Sequence, residues 1–248
     1  MSPIPERISE AFLRATGHHE STENPETSRR SGDHPERPFS IAISREAGTR
    51  GPAVGQAVGA RLGWKVYDQE LLEIVARELH VRVKLLENLD DRHVTWLQES
   101  IESFAAVPAV REGKYVRQLI ETMLSLAATG QCVIVGRGSQ FVLPPATTLR
   151  VRLVAPVEFR IANVSHDQNL ARHEAAKFIE QTDRARMQFV RLHFLRDSTD
   201  PRYYDLFLNA AQFTADECAD LVIAALQKKS HGAAVPASFN PEMALTSG

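Results

Sequence analysis

Residues Phe39 to Gly63 read FSIAISREAGTRGPAVGQAVGARLG. A short apolar run (Phe39, Ile41, Ile43) stops at a polar, Gly-containing loop from Ala47 to Gly51, and beyond it Val54, Val58 and Leu62 recur at helical spacing. The succession is strand, loop, helix. Pro52 stands where a first helical residue belongs, because its missing N–H and fixed φ cost nothing there. The free N–H groups and positive dipole end of such a helix point into the loop, where an anion such as a phosphate could sit. The usual phosphate loop, G-x-x-x-x-G-K-[ST], puts a Lys on the phosphates and a hydroxyl on Mg²⁺; here neither is in place. Many Gly-containing β-α turns merely connect elements, so a phosphate site and a plain connection both stay open.

Working outward, the chain of 248 residues is 43% hydrophobic, enough for one domain with a sizeable core. A formal net charge of -2 argues against a nucleic-acid binder that works through a strongly basic face, though not against a local basic pocket. Cys132 and Cys218 lack metal-ligand spacing and read as buried thiols in a reducing compartment. The first residues, MSPIPERISE, have no secretory apolar core, and no apolar run is long enough to span a membrane. The expectation is a cytoplasmic protein without membrane association.

Residues 1–38, with STENPETSRRSGDHPERP among them, carry too little apolar content to fold alone and read as a disordered tail. Ile8, Phe12 and Leu13 could form a short docking helix or a fraying stub. After residues 39–63, Trp64 to Tyr67 is a second strand, and Asp68 precedes QELLEIVAREL as a helix N-cap. A cap needs no further role, yet Asp68 also ends a strand beside the loop, where open α/β sheets bind ligands. Val81 to Gly130 reads as mostly helical and charged, broken near Pro108 and Gly113, with Gly130 closing the last helix.

CVIVGRG, Cys132 to Gly138, is a continuous apolar run of the kind found in a strand covered on both faces, hence parallel and central. Arg137 follows it between two glycines, as a surface Arg in a turn or as an anion-binding Arg at a strand end. TLRVRLVA (Thr148 to Ala155) alternates as a strand does. Helical stretches follow over Val157 to Val164, Leu170 to Ile179 and Asp183 to Leu195. Asp183 and Arg186 read in the first instance as an i,i+3 surface pair. Tyr204 to Leu208 is a last strand, and Thr214 to Leu226 a helix with Thr214 and Glu217 as a capping box. Residues 230–248 read as another tail. Strands alternating with helices behind a Gly loop predict a three-layer α/β domain over residues 39–229 with a mostly parallel sheet.

ISREAGTRG, LGWKVYDQELLEIVARE, CVIVGRGSQFVLPP, LRVRLVAPVEFRI, DRARMQFV and DPRYYDLFLNAAQF, in that order, resemble the cytidylate kinase-like family from Phe39 to Leu226. The resemblance implies a P-loop-type nucleoside monophosphate kinase fold: a five-stranded parallel core, a helical insertion that closes over the acceptor, and a lid. It also implies ATP as donor, Mg²⁺, and CMP or dCMP as acceptor, with catalysis by positioning and by arginines that neutralise charge.

On this chain the resemblance makes Gly48, Thr49, Arg50 and Gly51 the phosphate loop, Val81 to Gly130 the insertion and Asn163 to Asp183 the lid. Arg137 stands at the acceptor-phosphate arginine of a GRD-type motif, Arg160 at a lid-base arginine, and Asp183 with Arg186 at a D-x-x-R pair near the acceptor, beside Asp68. Where the family often has an arginine one turn before that aspartate, this chain has Ile179. Gly51 aligns with the Walker Lys and Ala53 with its hydroxyl, while Ser44, Arg45 and Glu46 match the family's own Ser-Arg-Glu. Arg45 or Arg50 is the candidate replacement for the Lys. Thr49, Asp68 and Glu46 are candidates for placing Mg²⁺, or else simply bond backbone and water. Besides a kinase, the altered loop admits a non-catalytic nucleotide-binding sensor, and the tails admit a partner-binding domain.

Overall fold

The computed structural model of the chain describes residues 39–68, 100–102, 104 and 113–230. The two tails, the helix after Asp68 and most of the insertion lie outside the described residues. Within them run β1 (Ser40–Arg45), α1 (Gly51–Leu62), β2 (Lys65–Tyr67), α2 (Lys114–Thr129), β3 (Cys132–Val135) and α3 (Ser139–Val142). There follow β4 (Thr148–Val154), α4 (Val157–Gln168), α5 (Arg172–Phe194), β5 (Leu206–Asn209) and α6 (Ala215–Lys229).

All four strand pairings are parallel, in the order β2-β3-β1-β4-β5. β1 is central: Ile41 lies opposite Val133 of β3 and Leu149 of β4. The chain works outward to β2, returns to β3 and then crosses to β4 on the far side of β1. Such a reversal leaves a crevice at the C-terminal ends of the strands.

Alternation along β1 decides which helices cover which face. Ile41 and Ile43 join Val54, Val58 and Leu62 of α1 and Cys218, Val222 and Ile223 of α6. Ala42 between them faces Leu119, Ile120 and Met123 of α2 and Phe194 of α5. Both faces are thus covered by helices, which is why β1 and β3 carry apolar residues without the polar alternation of a half-exposed sheet. Burying each Val, Leu or Ile here stabilises the fold by about 1.5–3 kcal/mol.

Some boundaries differ from those read in the sequence. α5 runs unbroken from Arg172 to Phe194, whereas the apolar pattern divides it near residues 180–182. No Gly or Pro interrupts it; its buried stripe is apolar at Ala175 and Ile179 and again at Val190 and Phe194, while Thr182, Asp183 and Arg186 between them line a polar cavity. α4 continues to Gln168, where Asn169 with φ 53° ends it. β5 starts at Leu206 rather than Tyr204, since Pro201–Tyr203 is a 3₁₀ turn whose carbonyl at Pro201 accepts from the Tyr204 N–H. The capping box at Thr214 forms as read: its Oγ1 accepts from the Glu217 N–H at 3.2 Å, and Glu217 Oε2 accepts from the Thr214 N–H at 2.8 Å. No helix among the described residues is long and apolar enough to cross a membrane.

β5, the edge strand, is anchored by Asp205. Its carboxylate accepts from the Arg150 N–H at 2.8 Å, from Arg150 Nη2 at 2.9 Å and from Lys229 Nζ at 2.7 Å. Burial pushes this carboxyl up, but the hydrogen bonds from Arg150 and Lys229 outweigh burial and hold it below the usual aspartate value. A carboxylate so depressed contributes stability above its unfolded value of about 3.9, and that contribution is lost as pH falls through the folded one. Asp205→Asn is therefore expected to unfold more easily than the wild type at pH 7, with the gap closing below about pH 4. Urea titrations at several pH values measure it, and an unchanged gap at acid pH would contradict this account.

Candidate functional site

The loop after β1 is held by side chains from remote segments. Glu46 N–H donates to the Leu153 carbonyl at 3.1 Å, extending the β1–β4 pairing by one residue. The chain then turns at Gly48, φ 79°, where an added Cβ would lie 2.6 Å from the Arg160 carbonyl oxygen. Thr49 is buried, and its hydroxyl donates to the Glu46 carbonyl at 2.8 Å. Arg50, φ 55°, is the N-cap of α1, with an exposed side chain and no side-chain capping bond. Gly51 is the first helical residue, so Pro52 stands one position later than expected.

Asp183 Oδ1 accepts from the Ala47 N–H at 2.8 Å, and Asp183 Oδ2 accepts from Arg160 Nη1 at 2.6 Å. The same Nη1 reaches the Ala47 carbonyl at 3.3 Å, Arg160 Nε donates to the Ala155 carbonyl at 3.1 Å, and Asn163 Nδ2 donates to the Gly48 carbonyl at 2.9 Å. Glu46 Oε2 accepts from the Ala155 N–H at 3.2 Å and lies 3.5 Å from Arg160 Nε. Arg160 and Asp183 thus clamp α4 and α5 onto the loop, and a carboxylate already satisfies one loop amide.

Beside the loop, at the C-terminal ends of the central strands and under α5, lies a cavity of about 470 Å³ whose wall includes Arg45, Arg137, Arg152 and Arg186. Arg45 continues β1 and runs across two glycines. A Cβ at Gly51 would meet its Cγ at 2.8 Å, and one at Gly136 would collide with its Nη1. Small residues are required at both points because the guanidinium passes directly over the backbone. Burial, then Arg186 and Arg137, push the Arg45 guanidinium down to about 10, against the pull of Asp68. Its Nε is buried without a hydrogen-bond partner.

Arg137 takes a left-handed φ of 56° between Gly136 and Gly138, and its guanidinium lies 5.4 Å above the Phe189 ring. Arg186 Nη1 donates to the Arg45 carbonyl at 3.3 Å and lies 3.9 Å from Asp183. Burial lowers the Arg186 guanidinium, Asp183 opposes the shift, and Arg137 and Arg152 add to it. Cations brought together in this way favour an anion between them.

Of the residues singled out in the sequence, Arg45, Arg137, Asp183 and Arg186 line this one cavity, as does Glu46. Arg160 adjoins it through Asp183, Asp68 acts on it electrostatically through Arg45, and Gly48, Thr49 and Gly51 form the adjacent loop. Arg50 is exposed outside the cavity wall. Arg152, Gln140 and Phe189 also line it and were not singled out. The signal for Arg152 was a charged residue within a strand whose parallel partners leave neither face to solvent. For Gln140 and Phe189 nothing in the local pattern distinguishes them from ordinary helix residues. Among the described residues no three His, Cys, Asp or Glu side chains are grouped to hold a metal ion. The Thr49 hydroxyl is engaged with its own loop.

Residues 40–212 match the model of the cytidylate kinase-like family. The chain belongs to that family. Among curated relatives, this family member is 27% identical over 109 residues to the cytidylate kinase of Methanopyrus kandleri, covering 40% of this chain and 56% of that protein. It is also 27% identical over 126 residues to the uronate isomerase of Corynebacterium glutamicum, covering 50% of this chain and 24% of that one. The chain thus spans just over half of the first of these relatives and about a quarter of the second. In structure it is similar to an uncharacterized protein from Eubacterium ventriosum, with a TM-score of 0.61 at 21% identity, covering 77% of this chain and 98% of that one. That likeness supports the parallel α/β fold alone.

The strut formed by Asp183 can be tested against the surface pair read in the sequence. Asp183→Asn removes the nearer of two carboxylates beside Arg160, leaving Glu46 at 3.5 Å, and is expected to lower unfolding stability by about 1–3 kcal/mol. A solvent-exposed i,i+3 pair would change it by only about 0.2–0.5 kcal/mol. Denaturant unfolding of the two proteins distinguishes the cases.

Proposed function

We propose that the chain is a phosphotransferase moving the γ-phosphoryl group of ATP to a nucleoside monophosphate, with CMP or dCMP as acceptor. The observation that carries this reading is the arginine cluster at the C-terminal ends of the central parallel strands, directly beside the loop that opens α1. Phosphoryl transfer needs little covalent help from the protein; it needs the acceptor oxygen, the γ-phosphorus and the leaving β–γ bridging oxygen brought into line and their charge neutralised. An acceptor-phosphate oxygen bonds to the γ-phosphorus as the bond to the bridging oxygen breaks, and ADP leaves with that electron pair.

In this reading Arg137 and Arg186 hold the acceptor phosphate, and Asp68 and Asp183 lie on the acceptor side. Gly48, Thr49, Arg50 and Gly51 face the donor phosphates. Arg45, whose guanidinium is already delivered into the cavity, takes the part of the missing Lys, with Arg50 able to swing in from the surface. Arg160 acts through Asp183 to keep the loop in place. Mg²⁺ would come in largely on the ATP phosphates and water, as this small cation commonly does, with Glu46 or Asp68 helping to place it. The two buried free cysteines fit a cytoplasmic setting.

One observation favours a non-catalytic nucleotide sensor instead: the Ala47 amide is taken by Asp183 and the Thr49 hydroxyl by Glu46, so part of the loop's phosphate-binding capacity is internally satisfied. A coupled ADP-release assay with ATP, Mg²⁺ and CMP, dCMP or UMP, run alongside calorimetry, separates the two. The kinase reading expects turnover with a pyrimidine monophosphate, and a fall in kcat/KM of at least about 100-fold for Arg45→Ala, the scale set by losing one charge-stabilising group. Nucleotide binding with no ADP release would favour the sensor.

A further inference from the structure

Arg152 occupies a position where a charged side chain is costly. Its neighbours along β4, Val151 and Leu153, are fully buried, and Arg152 itself is 7% exposed. A buried cation is normally matched by a carboxylate; among the described residues none pairs with Arg152. Its contacts are to neutral groups: Nη1 donates to Ser44 Oγ at 2.7 Å, and the guanidinium lies 5.7 Å over the Tyr204 ring. Arg186, with which it interacts electrostatically, is of like sign.

The brace around it is itself incompletely satisfied. Tyr204 has one hydroxyl proton, and the Ser198 carbonyl at 2.7 Å can only accept it. Tyr204 must therefore accept from Gln140 Nε2 at 3.1 Å, which fixes the orientation of that carboxamide. Gln140 Oε1 is then buried without a partner in a side chain only 2% exposed. Gln140 and Arg152 line the same cavity. A buried cation with no ion-pair partner among the described residues and an acceptor with no hydrogen-bond partner there, in one cavity wall, are what a polar, anionic ligand would complete.

We propose that Arg152 is a substrate-binding residue that, together with Arg137 and Arg186, grips the phosphate of a phosphomonoester acceptor, held at its station by Ser44 and Tyr204. This rests on the reading of the cavity as the acceptor end of a phosphotransferase site. It adds to that reading a guanidinium delivered from the middle of the sheet rather than from a loop or helix. A cation placed there to meet an anion is a burden to the ligand-free protein, because removing it relieves repulsion with Arg186. A residue present only to support the fold would behave in the opposite way.

The test compares the wild type with Arg152→Met, which keeps the aliphatic stem, and Arg152→Lys, which keeps the charge. Thermal unfolding is followed alone and with inorganic phosphate, pyrophosphate, CMP or ATP, and affinities are taken by calorimetry. Ligand-free R152M is expected to unfold at or above the wild-type temperature. Its affinity for CMP and phosphate should fall about 10- to 100-fold, the loss of one charge-assisted hydrogen-bonding group, with ATP affinity little changed and R152K intermediate. The inference is overturned if R152M binds CMP and phosphate as the wild type does, or loses stability together with CMP and ATP binding alike. It is likewise overturned if the wild type binds none of the four probes. If the wild type binds phosphate but forms no ADP, and R152M loses that binding, the clamp stands and the kinase reading falls. If the wild type turns over CMP and R152M matches it in KM, the kinase stands and the clamp falls.

Discussion

Like charges repel, and this fold gathers four guanidiniums around one cavity. Arg45 feels Arg186 and Arg137, and Arg186 feels Arg137 and Arg152, each with part of its hydration removed. Position along the backbone sets where these cations stand, and the carboxylates of Asp183 and Asp68 act on Arg186 and Arg45 in the opposite sense. Arg45 leaves the end of the central strand over two glycines, Arg137 is fixed by a left-handed turn between two more, and Arg152 stands on β4 against Ser44 and Tyr204. The surrounding core, sealed on both faces of the sheet, supplies the stability that such a cluster consumes. Preorganised charge of this kind stabilises an incoming anion without reorganisation at the moment of binding.

α5 turns that cluster into a site. Its two apolar ends are packed into separate clusters, Ala175 and Ile179 against α4 and the loop, Val190 and Phe194 against α2 and α3. The polar middle of the same face is thereby suspended over the strand ends, where Asp183 reaches the loop and Arg186 reaches the Arg45 carbonyl. Bending or fraying this helix would change the cavity and the loop together. The loop conformation is accordingly a tertiary property: its Ala47 amide, its Ala47 carbonyl and its Gly48 carbonyl are all bonded to side chains more than a hundred residues away.

The fold was legible in the sequence because burial on both faces leaves a plain mark: CVIV read as a central parallel strand, the Ile41–Ile43 run as a strand before a loop and helix, and Thr214 with Glu217 announced a helix start. The site was legible in part. Arg137 stood out because glycines flank it at the end of a buried strand, whereas Arg45 drew notice only through the family's Ser-Arg-Glu. Arg160 and Asp183 drew notice by resemblance, but local spacing pairs Asp183 with Arg186, whereas the closer partner in space is Arg160, 23 residues away. Partners that meet only after α4 folds back on α5 leave no periodic trace. Arg152 was passed over for a related reason: in TLRVRLVA the two arginines share a face of the strand and look alike, and only their places along it set Arg150 against Asp205 and Arg152 in the cavity wall.

In the proposed phosphotransferase, an arginine in the part of the usual loop lysine follows from the same crowding. Burial and neighbouring cations bring the Arg45 guanidinium from its ordinary 12.5 down to about 10, still well above neutrality. A lysine amine, ordinarily near 10.4, starts lower, so the same burial and repulsion would bring it closer to losing its charge. A cluster of cations that must all remain charged therefore selects against lysine at its centre. Guanidinium also spreads its charge over a planar fork and is more weakly hydrated, so that less is lost when it is buried. A P-loop lysine works where the backbone amides around it carry much of the phosphate. In this chain one of those amides is held by Asp183, and in the proposed function the neutralising task passes to side chains that cannot be discharged by one another.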